Sequence, residues 1–405
     1  MINSMVKTVL KNITIRDILE TINKKHGNKT ALRIKNEDGS FREISYTKLG
    51  RRVVSISSVL INLGIEKGDR IAIFSENRPE WAAAYFGIIS CGGAILPLDV
   101  KLTYAEMRFI LNDSQAKCIF VSGGLIEMID RLKPDLKYLK HIILLDKSPR
   151  TDIIQLSKLR PHRGKERNRP IYPEDTAIIV YTSGTTGLAK GVELSYKNLL
   201  YQAVEFSELI RAAPKERFLS VLPLNHMLEI TGGLIAPLYA GSCVTYCDTL
   251  KTTTLLPLMK ETGITAMISV PLVLKLMHSG IMRKAAKLTP IKRRAFRILL
   301  SVSAFLLKFN IKAGRIFFRS IHKEFGGKLR TFISGGAPLD IGVEIDMNAI
   351  GFRILQGYGL TETAPVISVN TFKNNRFGSV GKPLPGIEVM ISKESPADTE
   401  GEILT

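Results

Sequence analysis

The feature that most constrains the fold is a regular alternation of short apolar runs with longer amphipathic segments. Arg70–Phe74 is typical of a buried strand, a helical segment around Glu80–Cys91 follows it, and Ala94–Leu98 is the next such run. Because parallel strands need a long crossover connection, usually a helix, this order predicts βαβ units on parallel sheets. A second series begins near Phe218. The sequence therefore predicts an α/β fold with two subdomains.

The end of the chain follows a different pattern. Gly378–Gly381, Ile387–Ile391 and Glu402–Leu404 are short candidate strands separated by Pro and Gly turns, which favours a β-subdomain. We therefore predict a large domain over residues 1–370, with two intertwined α/β subdomains, the second mainly from about residue 215. The start of a β-subdomain is predicted over residues 371–405.

Composition limits the class of protein. The chain has 405 residues, 45% of them hydrophobic and 23% charged, which is typical of a globular protein with more than one core. The N-terminus, Met1 to Asp17, has no continuous apolar core of signal-peptide length, and no uninterrupted apolar stretch reaches transmembrane length. Four cysteines without metal-ligand spacing suit a reducing cytosol, and Cys243 and Cys247 are expected to be core residues. The predicted location is cytoplasmic.

The net charge of +20 is concentrated in one segment. Residues 281–330 contain fourteen Lys or Arg and one acid, Glu324. Spacings of three and four residues predict a basic amphipathic helix that binds an anionic membrane surface. The alternative is a solvated face packed on the protein body, and no recognised nucleic-acid motif accompanies the charge. The cations predicted to share the helical face are Lys308, Lys312, Arg315, Arg319 and Lys323.

Glycines, small hydroxylated residues and one lysine follow the predicted buried strand Thr176–Val180. Residues 181–192 read YTSGTTGLAKGV. Glycines let backbone N–H groups turn toward an anion, hydroxyls donate hydrogen bonds, and Lys190 supplies charge. It is not a Walker A loop, because Ala189 precedes the lysine and no Ser or Thr follows it. The composition predicts a polyphosphate-binding loop, with a flexible surface loop as the alternative. The candidate ligands are Thr182, Ser183, Gly184, Thr185, Thr186, Gly187 and Lys190.

Two further stretches lie just past predicted strands. Residues 222–229 read LPLNHMLE and contain His226, although a single histidine is more often structural than functional. Residues 334–338 read SGGAP, where the missing side chains would let a planar base lie against the backbone; a tight turn into a helix is the alternative. The candidate base-binding residues are Gly335, Gly336, Ala337 and Pro338.

A third motif reads QGYGLTET over residues 356–363. Tyr358 offers a flat stacking face between two glycines. Thr361 can donate to phosphate, and Glu362 is an oxygen ligand suited to Mg²⁺, although an isolated Thr-Glu pair is more often part of a helix cap. The candidate nucleotide-binding residues are Gln356, Gly357, Tyr358, Gly359 and Thr361, with Glu362 as the metal ligand.

In this order, the motifs resemble the signatures of the AMP-forming acyl-adenylate superfamily, which contains acyl-CoA synthetases, luciferases and peptide-synthetase adenylation domains. The phosphate loop departs at Ala189, where proline is usual, and at Tyr196, where histidine is common. Neither change removes a donor to phosphate. The resemblance covers nearly the whole chain, and the basic segment with LPLNHMLE is most like the long-chain fatty acyl-CoA synthetases.

The resemblance implies a large N-terminal domain with two α/β subdomains, mainly parallel sheets and the start of a β-barrel subdomain. It implies that Mg-ATP activates a long-chain fatty acid to acyl-AMP and that CoA then displaces AMP. The loop with Lys190 would hold pyrophosphate, and His226 would orient the carboxylate. Thr361 and the Mg²⁺ held by Glu362 would serve the α-phosphate. The SGGAP and QGYG segments would hold adenine.

Relatives of this kind continue past Leu404 with the rest of the β-subdomain, a ribose-binding Asp, a hinge and a small C-terminal domain that supplies the adenylation lysine. We therefore expect an incomplete ligase that still binds ATP. The alternatives are a non-catalytic ATP- or lipid-binding protein of the same fold and a ligase that uses a carrier-protein thiol instead of CoA. The expected partners are fatty acid, ATP, CoA and, through residues 283–323, a membrane surface, with no nucleic acid.

Overall fold

The computed structural model describes residues 15–159, 169–182, 189–395 and 397–405. The chain forms two compact units, one with the residues up to Ser207 and Ala212–Leu250, the other with Glu208–Arg211 and Lys251–Thr405. Both units combine mainly parallel strands with helices, which confirms the predicted α/β class. The domain bounds near residues 215 and 370 stay predictions.

Short strands of buried, largely apolar residues build the first unit. They are β1 (Thr30–Lys35), β2 (Phe41–Ser45), β3 (Arg70–Phe74), β4 (Ala94–Leu98), β5 (Cys118–Val121), β6 (His141–Leu144), β7 (Ile154–Gln155), β8 (Thr176–Thr182), β9 (Lys190–Ser195), β10 (Arg217–Ser220) and β11 (Cys243–Tyr246). Seven are hydrogen-bonded in the order β7-β6-β5-β3-β4-β8-β9, with only the β8–β9 pair antiparallel. Four follow the order β10-β11-β1-β2, with β1–β2 antiparallel.

Helices connect most of the strands, as the alternating pattern predicted. They are α1 (Ile15–His26), α2 (Tyr46–Asn62), α3 (Pro79–Cys91), α4 (Tyr104–Asp113), α5 (Ile126–Leu132), α6 (Tyr196–Leu209), α7 (Met227–Glu229), α8 (Ala236–Tyr239), α9 (Thr252–Thr262), α10 (Pro271–Ala286), α11 (Pro290–Leu307), α12 (Gly314–Phe317), α13 (Arg319–Glu324) and α14 (Ile341–Ile350). A π-helical segment, Ile230–Ile235, separates α7 from α8.

Helix α3 lies in the core of the first unit. Its residues are apolar on every side, as in the run WAAAYFGII, and almost all of them are buried. Pro79 occupies its first turn, and Gly92 ends it with a left-handed φ of 82°. The central position of α3 fixes the segment before it, residues 75–78, which contacts the loop described below.

The second unit contains β12 (Ala266–Ser269), β13 (Thr331–Ser334), β14 (Arg353–Tyr358), β15 (Ser368–Val369), β16 (Lys382–Pro383), β17 (Met390–Ser392) and β18 (Glu402–Leu404). β12, β13 and β14 are parallel, β15 and β16 continue the order antiparallel, and β17 pairs with β18. In the described part the terminal strands form no closed barrel. The strand predicted over residues 378–381 is wrong, because Gly378 and Gly381 adopt left-handed φ values of 72° and 83° there.

The prediction that the basic segment forms one helical face is also wrong. Helix α11 ends at Leu307, and the short helices α12 and α13 follow only after a turn. Asn310 adopts a left-handed φ of 59°, and the N–H of Ile311 donates back to the Leu306 carbonyl at 3.1 Å, which terminates the helix. Lys308 and Lys312 therefore lie in the turn. Among the described helices, none has the length and apolar content needed to cross a bilayer.

Candidate functional site

Strands β8 and β9 form an antiparallel ladder in the first unit, and the predicted phosphate loop connects them. Thr182 is the last residue of β8 and pairs directly with Lys190, the first residue of β9. The Lys190 side chain is exposed and Thr182 is half-buried. The predicted ligands Ser183, Gly184, Thr185, Thr186 and Gly187 lie outside the described residues. The structure therefore brings together one hydroxyl and one ammonium group at the two ends of the loop.

Side chains around the ladder hold it in place. The Tyr181 hydroxyl donates to Asp113 Oδ2, and burial, followed by this hydrogen bond, raises the pKa of Tyr181. At the far end of β9, the N–H of Asn198 donates to Ser195 Oγ at 3.2 Å, which caps α6. Lys190 therefore sits on a strand with fixed register and not on a free loop.

His226 lies on a loop between β10 and α7, in a different group of strands from Lys190. Its side chain is exposed, and the residue is the N-cap of α7 without a side-chain capping bond. Asn77 holds the loop: its Nδ2 donates to the Leu222 carbonyl at 2.6 Å, and its Oδ1 accepts from the Leu224 N–H at 2.9 Å. The described contacts thus fix the backbone that carries His226 and leave its ring accessible.

A buried carboxyl group follows His226 by one helical turn. Glu229 is 0% exposed, and burial raises its pKa to about 8. A Cβ added at Gly233 would lie 2.2 Å from Glu229 Oε1, so the π-helical segment needs a glycine where the carboxyl packs. At neutral pH this carboxyl group is mainly protonated.

In the second unit, the SGGAP segment follows β13 and the QGYG segment ends β14. These strands are parallel neighbours, and Ser334 pairs with Gln356, so both segments lie at the same edge. Gly336 has a left-handed φ of 83°, and a Cβ there would meet only Val270 Cγ1, at 3.9 Å. Gly336, Ala337 and Pro338 are exposed, and Gly335 is buried. This edge therefore presents open backbone beside Tyr358.

Gln356 points into the interior. It is 6% exposed, and its Nε2 donates to Glu344 Oε2 at 2.7 Å. The same oxygen accepts from the Gly378 N–H at 2.8 Å. Burial raises the pKa of Glu344 despite these two bonds. Gln356 thus links β14 to α14 and to the turn at Gly378, and its assigned role in nucleotide binding stays a prediction.

The turn after Tyr358 is tightly packed. A Cβ at Gly359 would lie 1.7 Å from the Pro365 carbonyl oxygen, and the N–H of Ile367 donates to the Tyr358 carbonyl at 2.9 Å. A single 3₁₀ turn, Thr361–Thr363, follows, with Glu362 exposed. No group of three or more His, Cys, Asp or Glu residues in the described ranges is arranged to hold a metal. One exposed carboxylate suits a Mg²⁺ ion whose other ligands come from polyphosphate and water.

The structure therefore brings the predicted residues into local groups. One is the pair Thr182 and Lys190, and another is the set at the ends of β13 and β14. Sequence reasoning missed Asn77, which positions the His226 loop, and Glu344, which bonds Gln356 in β14. A signal was present for Asn77, because the polar stretch ENR separates an apolar predicted strand from an apolar predicted helix. Nothing local indicated Glu344.

Comparison with known proteins gives two kinds of match. The chain is 27% identical over 389 residues to the long-chain-fatty-acid–CoA ligase FadD15 of Mycobacterium bovis, covering 91% of this chain and 64% of that protein. It is 27% identical to the chloroplastic long-chain-fatty-acid–[acyl-carrier-protein] ligase AEE15 of Arabidopsis thaliana, covering 93% and 59%. The chain thus spans less than two thirds of the length of these curated relatives.

Among solved structures, the anthranilate CoA ligase AuaEII in complex with anthranoyl-AMP matches with a TM-score of 0.79 at 20% identity, covering 97% of this chain and 69% of that one. This likeness shows that the chain shares the α/β fold of that structure. The family model for AMP-binding enzymes matches residues 19–405. The chain belongs to the AMP-binding enzyme family.

Proposed function

We propose that the chain takes part in the ATP-dependent activation of a long-chain fatty acid. A carboxylate oxygen attacks the α-phosphorus of ATP, the bond to pyrophosphate breaks, and acyl-AMP forms; a thiol then attacks the acyl carbon and AMP leaves. The observation that carries the proposal is the exposed backbone of Gly336–Pro338 beside Tyr358, at the ends of β13 and β14. Nucleotides bind at such strand ends in open α/β sheets.

The first unit supplies groups for the leaving pyrophosphate and the acid. Lys190 and Thr182, on facing strands, would neutralise and hydrogen-bond the phosphates, together with Ser183, Thr185 and Thr186 of the connecting loop. His226 would orient the fatty carboxylate from a loop that Asn77 fixes. Holding two anions in reacting geometry is the main contribution that a protein makes to such a transfer.

The second unit supplies groups for the nucleotide. Adenine would stack on Tyr358 and lie against Gly335–Pro338. Thr361 would donate to the α-phosphate, and Glu362 would hold Mg²⁺. When bound, that ion neutralises charge on the phosphate oxygens. The close packing at Gly359 supports this assignment, because it fixes the backbone of the turn that carries Tyr358.

We further propose that the protein acts at a membrane surface. Helix α11 carries a stripe of exposed apolar side chains, with Ile291 at 83% and Phe309 just past its end at 64% exposure. The stripe consists of Ile291, Ile298, Val302, Phe305 and Phe309. Cations of the same helix flank it, and each contributes about 1 kcal/mol near an anionic surface. A fatty acid substrate partitions into bilayers, so this surface would give access to it.

The test is pyrophosphate release by the purified 405-residue chain with Mg-ATP and palmitate, together with ATP binding by calorimetry. We expect Lys190→Gln and Glu362→Gln to lower release by about 100-fold, since each removes transition-state charge stabilisation. The matched controls Lys197→Gln and Glu388→Gln remove the same charges from exposed positions in the same units. Unchanged release in Lys190→Gln and Glu362→Gln would contradict the assigned roles.

Two other results identify the alternatives. ATP binding without release supports a non-catalytic ATP- or lipid-binding protein. Pyrophosphate release followed by thioester formation on a carrier protein, but not on CoA, supports a ligase that uses a carrier-protein thiol. The name of the Arabidopsis relative suggests this acceptor. Absence of ATP binding would overturn both the ligase and the non-catalytic nucleotide-binding proposals.

A further inference from the structure

Two arginines of the second unit face one aromatic ring. The guanidinium carbon of Arg211 lies 4.8 Å from the centroid of the Phe372 ring, and that of Arg353 lies 4.6 Å from it. Arg211 comes from the connection after α6 and has a left-handed φ of 53°. The two cations are thus 142 positions apart in sequence and meet at one ring.

A third cation faces the same place. The pKa of Lys312 is lowered by burial and then by the charges of Arg353 and Arg211. Burial, Arg211 and Arg330 likewise lower the pKa of Arg353. Arg211 and Lys312 are exposed and Arg353 is half-buried, so these like charges lie near one another at the surface. We call Arg211, Lys312, Arg353 and Phe372 the Phe372 cluster.

The cluster lacks an acidic partner. In the described ranges, none of its three cations forms an ion pair with a carboxylate. Glu208 is the nearest acid in sequence to Arg211, and its backbone carbonyl accepts from the Arg211 N–H at 3.1 Å. Cation–π contacts with Phe372 offset part of the repulsion between the cations. A purely structural contact with this ring, however, would need only one arginine.

The cluster is separate from the proposed nucleotide site. Arg353 is the first residue of β14 and Tyr358 is the last, so the strand places them at opposite ends. Five residues of strand correspond to about 16 Å. An anion at the Phe372 cluster would therefore not be a phosphate of the ATP bound beside Tyr358.

We propose that the Phe372 cluster is a binding site for a phosphate group that is not part of the substrate nucleotide. Guanidinium groups match phosphate oxygens in paired hydrogen bonds, and a lysine adds charge at one point. The phosphate belongs either to a small soluble anion or to the headgroup of an anionic lipid. Lys312 directly follows Ile311, which is 51% exposed. Phe309, at the end of the apolar stripe, lies three residues before Lys312. A lipid headgroup would thus reach the cluster while apolar side chains meet the bilayer.

The experiment compares two probes on the full chain. Inorganic phosphate is titrated by calorimetry at low ionic strength, and vesicles of phosphatidylcholine with or without phosphatidic acid are sedimented with the protein. The variants are Arg353→Gln and Arg211→Gln, the second of which changes an exposed side chain and leaves the interior intact. The control is Lys260→Gln, which removes one exposed positive charge from the same unit. Circular dichroism verifies the fold of each variant.

We expect each cluster variant to weaken phosphate binding at least about tenfold and Lys260→Gln to change it less than twofold. Loss of binding to phosphatidic acid vesicles in the cluster variants identifies the lipid source. Unchanged vesicle binding with weakened phosphate binding identifies the soluble source. Equal phosphate binding in all variants, or none in the parent chain, would overturn the site. ATP binding serves as an independent readout, and it is expected to stay unchanged in every variant.

Discussion

The Oδ1 atom of Asn77 accepts the backbone N–H of Leu224 at 2.9 Å, across 147 positions of sequence. Asn77 Nδ2 also donates to the Leu222 carbonyl at 2.6 Å, so a single amide closes a pair of hydrogen bonds with the backbone of the His226 loop. Asn77 is 8% exposed, which keeps water from replacing these bonds. A side chain that the sequence analysis overlooked therefore sets the position of a predicted site residue.

We expect Asn77→Ala to lower the free energy of unfolding by about 1–3 kcal/mol, because it leaves two buried backbone groups unpaired. If the loop holds the fatty acid, KM for palmitate should rise more than KM for ATP. Asn112→Ala is the control, since Asn112 makes a similar pair of bonds, with the Asp135 carbonyl and the Lys137 N–H, at a more exposed place. Equal effects of the two variants on KM for palmitate would argue against a positioning role for Asn77.

A second prediction concerns acid stability. Glu80 is 5% exposed and lies against Arg42, Arg52 and Arg78. Burial alone would raise its pKa, but hydrogen bonds and charges from Arg42 and Arg78 outweigh burial and lower it to about 2. Since the unfolded value is about 4.5, the stabilisation is complete above pH 4.5 and is lost as pH falls toward 2. It amounts to about 3 kcal/mol at neutral pH.

The measurement is denaturant unfolding followed by the fluorescence of Trp81, the only tryptophan, which adjoins Glu80 in α3. Glu80→Gln should lower stability at pH 7 by about 3 kcal/mol, because it removes the buried carboxylate charge that interacts with Arg42, Arg52 and Arg78. The difference in unfolding free energy between the parent chain and Glu80→Gln should be smaller at pH 2.5. Glu174→Gln, which breaks an exposed pair with Lys197, should change stability by less than about 1 kcal/mol. A difference for Glu80→Gln that is independent of pH would exclude the proposed linkage.

The third prediction concerns Glu229, whose effect on stability depends on pH in the opposite direction to that of Glu80. Burial raises the pKa of Glu229 to about 8, above its unfolded value of about 4.5, so the folded chain binds the extra proton between these values. Stability should therefore fall as pH rises from 4.5 to 8, by about 1.4 kcal/mol for each unit of pKa shift. Glu229→Gln keeps the size of the side chain and removes its titration. Relative to the parent chain, this variant should gain stability between pH 5 and pH 9, and a constant difference would contradict the buried-proton interpretation.

Much of the fold was predictable because its signals are local. Apolar runs and turn residues defined strands such as β3 and β4. The phosphate loop, LPLNHMLE and SGGAP also lie at strand ends, as the sequence predicted. These features depend only on residues adjacent in sequence.

The failures and omissions arise where distant residues or one backbone conformation decide the structure. The helical spacing of the basic segment was correct as a pattern, but the left-handed Asn310 ends α11. Glu80 pairs with Arg42 and Arg52, which lie 38 and 28 positions away in sequence. Glu344 in α14 accepts hydrogen bonds from Gln356 in β14 and from the Gly378 N–H. No periodicity in the sequence encodes such pairs, since they form only when the strands have assembled.

The last prediction concerns the turn that carries Tyr358. A Cβ at Gly359 would lie 1.7 Å from the Pro365 carbonyl oxygen, a backbone atom that cannot rotate away. Gly359→Ala should therefore displace the turn, cost about 1–3 kcal/mol of stability, and weaken ATP binding if adenine lies on Tyr358. Gly280→Ala is the matched control, because its added methyl meets nothing within 4 Å and replaces glycine inside α10. That control should gain up to about 1 kcal/mol. Circular dichroism and calorimetric ATP titration measure both effects. If Gly359→Ala is destabilised while its ATP affinity equals that of Gly280→Ala, the turn is structural and adenine binds elsewhere.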